Sequence, residues 1–256
     1  MLLGIDIGNT SISFGVMRKG KVVDNFSILS KQTKTALASS LDKVLSRIHK
    51  QYPLITQCLM CSVVPKINSI VIRYVQGIVD INVERIGKDI IVPIANHYHE
   101  PSQVGQDRLL VAYAAKCLYG TPTVVIDLGT AITFDVVSKK GTYEGGMIVP
   151  GIRLSAESLF KGTALLPQLK EFTKPKHLIG KNTKDSILSG LFNGYSAMCD
   201  GLIKQFQEIL GPKTKVILTG GYAPLIRKGL PPYCVYDQDL VFRGMSMLVF
   251  GMKCFS

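Results

Sequence analysis

The sequence predicts an α/β protein of two tandem domains, each a mixed β-sheet flanked by helices. Three observations carry this. First, residues 3–13 (LGIDIGNTSIS) form an apolar run that breaks at Gly8-Asn9-Thr10 and then alternates again through Ile12, Phe14 and Val16. That pattern reads as a strand, a tight turn and a second strand pairing back. Second, a near-copy follows at residues 125–138 (VIDLGTAITFDVVS). Asp127 matches Asp6, Gly129 matches Gly8, and Thr130 falls in the same turn. Ser13-Phe14-Gly15-Val16 and Thr133-Phe134-Asp135-Val136 then align with a one-residue offset. Third, the order of elements after each copy repeats. Internal similarity of this kind decides architecture when it is real; the competing reading is two unrelated hairpins with similar turns.

Taken in order, a turn at Lys19-Gly20 leads into a third strand over 21–29. Residues 33–50 place Leu37, Leu41, Val44, Leu45 and Ile48 on one helical face. A strand is expected over 59–64, a helix from Pro65 to about 76, and a strand over 79–85. Residues 91–106 form an irregular loop with Pro93, Asn96, His97, Tyr98, His99 and Pro101, long enough to suggest function. A helix follows over 109–119. In the second half, strands are expected over 123–126, after the turn, and up to about 149. Gly145 and Gly146 mark a close backbone approach in the last of these. Helices are expected from 151 to about 160 and over 184–210, with Thr183 as N-cap. A strand at 216–218, the turn Thr219-Gly220-Gly221, a short helix to 228, a strand over 233–236 and a helix over 240–252 complete the chain. The expected boundary lies near Gly120-Thr121-Pro122, giving domains 1–119 and 120–256.

The chain has 256 residues, 46% of them apolar and 19% charged, which suits a substantial core. No apolar run approaches the roughly 18 residues of a membrane span, and Asp6 interrupts the N-terminal run, against a signal peptide. A cytoplasmic protein without membrane attachment is the expectation. Net charge is +12. The lysines are scattered and no aromatics interleave with them, so a solvated basic surface is favoured over nucleic-acid binding. Six cysteines include Cys58 and Cys61 in a C-x-x-C, but on a strand these point to opposite faces, and no second pair completes a metal site. His97 and His99 read as surface or structural residues.

The chemistry concentrates in the turns. An acid at the end of a buried strand is costly unless a charge faces it. Gly8-Asn9-Thr10 offers backbone N–H, amide and hydroxyl donors that suit phosphate oxygens. Acid and donors together suit a Mg²⁺–nucleotide site; an Asn-Gly-type hairpin with a capping Asp is the bland alternative. Asp107-Arg108 opens the helix after the long loop. It reads as an N-cap with its salt-bridge partner, or as a base beside a guanidinium that grips a carboxylate. Neither GxxxxGK[ST] nor GxGxxG in a strand–helix context occurs, so nucleotide use rests on the paired Asp-Gly turns.

That pairing resembles the superfamily of sugar kinases, acetate kinase, actin and the heat-shock ATPases, in which two ribonuclease-H-like domains hold ATP in a cleft between them. Thr219-Gly220-Gly221 looks like its adenosine-side element. Along essentially its whole length the chain is similar to the type III pantothenate kinases. The carrying motifs are Asp6-Ile-Gly-Asn-Thr10, Tyr98 with Pro101, Gly105-Gln-Asp-Arg108, Asp127-Leu-Gly-Thr-Ala131, Gly145-Gly-Met-Ile-Val-Pro-Gly151, Gly180-Lys-Asn-Thr183 and Thr219-Gly-Gly221. The resemblance implies ATP-dependent phosphorylation of pantothenate, the first step of coenzyme A biosynthesis. It implies Asp107 as general base. It implies ATP contacts from Asp6, Ile7, Gly8, Asn9, Thr10, Ser11, Ile12, Ser13 and Thr130. Pantothenate would be held by Tyr98, Gly105, Gln106, Asp107, Arg108 and Thr183. Asp6 would serve Mg²⁺, directly or through water. Asp127 would hold a monovalent cation, K⁺ or NH₄⁺. A homodimer is implied as well. Two rival readings stand beside it: a kinase of the same superfamily with another acceptor, and a non-catalytic regulator on the same scaffold. The presence of all three acids, Asp6, Asp107 and Asp127, favours an enzyme.

Overall fold

Two five-stranded sheets with the same connectivity organise the computed structural model, which describes residues 1–251. Met252, the last residue of the expected final helix, and Cys254 lie outside the described residues. The chain divides into two units: residues 1–94, 99–117 and 239–251 in the first, and 95–98 and 118–238 in the second.

The first unit contains β1 (Leu2–Ile7), β2 (Ser11–Arg18), β3 (Lys21–Leu29), α1 (Lys34–Gln51), β4 (Gln57–Ser62), α2 (Pro65–Val79), β5 (Val83–Arg85) and α3 (Gln106–Tyr119). Its sheet runs β3-β2-β1-β4-β5, antiparallel through the hairpin and parallel from β1 to β5. Thr33 caps α1 by accepting from the Ala36 N–H at 3.2 Å. The five apolar residues expected on one face of α1 are all buried. α2 runs three residues past its expected end and stops at Asp80, in the left-handed conformation at φ 58°. That reversal consumes the residues expected to start the next strand, so β5 is only three residues long.

The second unit contains β6 (Thr123–Leu128), β7 (Ala131–Val137), β8 (Tyr143–Pro150), α4 (Ile152–Gly162), α5 (Thr183–Leu210), β9 (Lys215–Thr219), α6 (Ala223–Ile226) and β10 (Val235–Tyr236). Its sheet, β8-β7-β6-β9-β10, repeats the first sheet's order element for element. Both central strands show the same burial pattern, with the acid as the one partly exposed position, fifth of six. Asp6 pairs with Ser13 and Asp127 with Thr133. The two hairpins therefore share a register up to the one-residue difference in turn length.

The final helix, α7 (Leu240–Phe250), departs from the expected division at 119/120. It belongs to the first unit and packs on β1, β2 and β3. Gly4 and Gly15 sit directly opposite each other across the β1–β2 hairpin. A methyl group on Gly15 would lie 2.6 Å from Cγ of Phe242; one on Gly4 would lie 2.9 Å from Cδ1 of the same ring and 2.7 Å from the Met245 sulfur. The glycine pair thus forms a trough that the Phe242 ring fills. Segment 95–98 also changes sides. It pairs with the edge of β8 in the second unit, through Tyr143 N–H to Ala95 O at 2.8 Å and His97 N–H to Tyr143 O at 2.9 Å.

Gly15→Ala should overpack this trough and cost about 1–3 kcal/mol. Thermal unfolding would show it as a lowered midpoint, and Phe242→Leu in the same chain should recover part of the loss. An unchanged midpoint would remove the trough as the reason α7 docks here.

Candidate functional site

Each unit carries one loop cluster at the end of its central strand. In the first, the Gly8 N–H donates to Ser11 O at 2.9 Å and closes the turn, while Thr10 O accepts from the Ser30 N–H at 3.0 Å. Asn9 stands exposed at the tip, and Gly8, Thr10, Ser11 and Ser13 are partly exposed. Ile7 and Ile12 are fully buried. Of the stretch 6–13, these two isoleucines therefore turn their side chains into the core and leave only backbone for a ligand. The Ile7 carbonyl is itself engaged by the Val63 N–H at 3.0 Å.

α3 brings Asp107 to this end of the sheet. Gly105 takes the capping position, its carbonyl accepting from the N–H groups of Arg108 and Leu109 at 3.1 and 3.2 Å. Asp107 is the second helical residue, so the N-cap reading of it does not hold. Its carboxylate does accept from its own N–H and that of Arg108, and both hold its pKa down together with the Arg108 charge. Burial outweighs them and leaves the group above the usual carboxylate range. Oδ1 of Asp107 is buried with no hydrogen-bond partner among the described residues.

Asp6 is pushed further, to about 7, first by burial and then by the charge of Asp107. The two carboxylates therefore repel each other in one site. Cys61, beside Asp6 on β4, feels both: burial, then Asp6, then Asp107 raise its thiol well above the ordinary range. Spacing along the chain gave no sign that Cys61 borders the acids; only the β1–β4 register does. A carboxylate that burial and a second carboxylate both push upward is a donor suited to a cation. Among the described residues no group of three or more His, Cys, Asp or Glu side chains converges. A Mg²⁺ ion that takes most of its ligands from phosphate and water needs no such cage.

In the second unit, the turn after β6 closes through the Gly129 N–H to Ala131 O at 3.2 Å. The Gly151 N–H donates to Thr130 O at 3.0 Å, and the Tyr222 N–H to Leu128 O at 3.0 Å. Three loops thus converge on the end of β6. Gly220, at φ 90°, lies so close that a methyl there would collide with Oδ1 of Asp127 and the backbone of Leu128. Oδ1 of Asp127 is also 3.4 Å from where a Gly129 methyl would sit, so two glycine turns flank this carboxylate. Beside Gly221 there is open space.

Tyr98 and Thr183 also lie in the second unit. The ring of Tyr98 is the group that approaches Gly145, its Cδ2 lying 3.2 Å from where a methyl there would stand. Its N–H donates to Oδ1 of Asn96 at 3.0 Å, and the neighbouring His97 meets Glu144 at 3.4 Å. Thr183 is exposed as the first residue of α5 and is not its cap. Asn182 caps instead, accepting from the Asp185 N–H at 2.9 Å and donating to the Asp185 carboxylate at 2.8 Å. Asparagine is the stronger cap of the two, which frees the Thr183 side chain. Gly180 is required because a methyl there would strike the backbone of Asp185 and Ser186.

A family model described as type III pantothenate kinase matches residues 2–205. A type III pantothenate kinase of Persephonella marina is 40% identical over 247 residues, which are 96% of each chain. Among solved structures, one described as a Baf family transcriptional activator from Campylobacter jejuni superposes with a TM-score of 0.57 at 19% identity, covering 96% of each chain. A ROK family glucokinase from Streptomyces griseus, in complex with glucose and AMPPNP, gives 0.52 at 12% identity over 96% of this chain and 97% of that one. At such identities the likeness is one of fold: paired mixed sheets flanked by helices.

The raised Asp6 pKa has a definite sign for stability. The folded protein holds a proton between about 3.8 and about 7 that the unfolded chain has released. Its contribution is therefore full below the unfolded value and is lost as pH rises through the folded one, by up to about 4 kcal/mol. Denaturant melts at pH 5 and pH 8 should show Asp6→Asn losing less stability over this range than the parent. Equal losses would show that Asp6 titrates normally.

Proposed function

The chain belongs to the type III pantothenate kinase family, and from that premise we propose how its residues divide the work of phosphorylating pantothenate with ATP in coenzyme A biosynthesis. The observation that carries the reading is the Asp6 carboxylate, raised by burial and by the charge of Asp107, beside a turn rich in phosphate donors. Phosphoryl transfer asks for alignment and charge neutralisation more than covalent help. Asp107 sits at a helix start with one buried oxygen unpartnered among the described residues, a position for accepting the pantothenate hydroxyl proton late in transfer. Gly105, Gln106 and Arg108 surround it on the same helical turn. With Tyr98 and Thr183 they hold pantothenate, the Arg108 guanidinium matching a carboxylate by two parallel bonds.

Asp6 and the stretch through Ser13 receive the ATP phosphates, with Thr130 from the second turn. Ile7 and Ile12 contribute through backbone alone, because their side chains are core. Asp6 is the residue for Mg²⁺, directly or through water, and Asp127, flanked by its two glycine turns, the residue for K⁺ or NH₄⁺. These cations neutralise phosphate charge when bound. The base end of ATP lies over Gly220-Gly221, where a side chain is absent and space is open.

Homodimerisation is part of the same proposal, and the second unit offers exposed apolar side chains for it: Met147 and Ile148 on β8, and Leu154, Leu159 and Phe160 on α4, Ile148 by 63%. Among the described residues no helix is long and apolar enough to cross a membrane, and a cytoplasmic location is part of the same proposal.

A coupled assay with pantothenate, ATP and Mg²⁺ should show turnover in K⁺ that collapses in Na⁺. Turnover equal in both would remove the role of Asp127. Asp107→Asn should lower kcat by about 10²-fold or more while pantothenate binding, followed by calorimetry, stays within a few-fold. Lost binding with unchanged kcat at saturation would refute the base assignment. Phe160→Asp should shift the sedimentation coefficient from dimer to monomer; an unchanged coefficient would place the dimer contact elsewhere.

A further inference from the structure

Between β5 and the long loop lies a short segment that touches α3 at one point. Residues 85–90 fold back on themselves. The Gly87 N–H donates to Ile90 O at 2.7 Å, and the N–H groups of Lys88, Asp89 and Ile90 all reach Arg85 O, at 3.2, 2.8 and 3.2 Å. The Asp89 carboxylate accepts from the Arg85 backbone N–H and from its Nε, both at 2.9 Å. The Ile86 N–H donates to Met60 O at 2.9 Å, and the Ile86 side chain is buried, so the whole segment is tied to the sheet. At its apex Gly87 adopts φ +85°, with the Gln106 side chain against its backbone. A methyl group on Gly87 would collide with Cγ of Gln106 and stand 2.5 Å from its Cδ.

Gln106 is the first residue of α3 and Asp107 the second. Oδ1 of Asp107 has no hydrogen bond of its own among the described residues. The carboxylate is held to the first turn of α3 by the N–H groups of Asp107 and Arg108, so it stands where that turn rests, and the Gln106 side chain of that turn lies against Gly87. We propose that Gly87 is a positioning residue: the closed 85–90 segment is a fixed stop against which Gln106 seats, and this contact sets where the Asp107 carboxylate stands. The proposal rests on Asp107 acting as the base. It accounts for a glycine at a position where a left-handed backbone and a side chain from another element meet.

The test is a kinetic comparison of Gly87→Ala with Gly120→Ala. Gly120 has nearly the same φ, +83°, but nothing within 4 Å of where its methyl would go. Both variants bear the backbone strain, and only the first also sets a methyl group against the Gln106 side chain. Misplacement of a reacting group by about 1 Å costs about 10²-fold. Gly87→Ala should therefore lose about 10- to 100-fold in kcat with the KM for ATP within about 2-fold. Gly120→Ala should keep kcat within about 2-fold at a similarly lowered melting temperature. Equal kcat losses in the two, or full kcat in folded Gly87→Ala, would overturn the proposal. Should Gly87→Ala not fold, Gln106→Ala removes the seat without strain: a several-fold fall in kcat with the KM for ATP and the calorimetric affinity for pantothenate both unchanged supports the proposal, and an unchanged kcat or a fall matched by lost pantothenate binding overturns it. Asp107→Asn, run in parallel, separates the two ideas. If it is fully active, the base reading fails and the positioning idea with it. If it is impaired while Gly87→Ala is fully active, the positioning idea alone fails.

Discussion

A carboxylate held at the end of a buried central strand is the constraint on which this protein turns. In each sheet the strand is apolar on both sides of one acid, and that acid is neither free in water nor neutralised by a neighbour on its own strand. For Asp6 the result is a pKa near neutrality, because burial and a second carboxylate act in the same direction. Such a group is costly in the resting protein and becomes favourable when positive charge arrives. The strain of an unmet charge is thus placed where a metal–nucleotide complex would relieve it.

Glycines do the positioning around these acids, and each does so for a different steric reason. Gly220 lets a turn come down on Asp127; Gly151 lets the start of α4 approach the carbonyls of Gly129 and Thr130. Gly145 admits the Tyr98 ring, and Gly180 admits the first turn of α5. None of these contacts leaves space for a methyl group. Shape, beside hydrogen bonding, therefore sets the arrangement of these loops around the acids.

Much of this was legible in the chain itself. The repeated Asp-Gly turn announced two sheets of like order, because apolar alternation with a fixed acid is what a central strand and its hairpin require. The helical face of α1 was readable from its spacing, and Gly145 correctly signalled a close approach. Other features depended on distant pairing. That Ile7 and Ile12 face inward follows from strand parity, but the motif as a whole had suggested uniform ligand contact. Asn182 displaced Thr183 as cap because its side chain is the stronger cap of the two. Cys61 reaches the acids only through the β1–β4 register, and α7 joins the first unit only because Phe242 fits between Gly4 and Gly15. No local pattern encodes either of those.

The last of these pairings also sets an order of events in synthesis. Gly4 is made 238 residues before the ring that fills its trough, Phe242. A ribosome must translate the entire second unit before the first can be sealed. Until then the β1–β2 face stays open, and a nascent first unit is an incomplete one. The described second unit, residues 95–98 and 118–238, ends before α7 and has no such debt. The half of the protein that emerges later is therefore the half able to finish first.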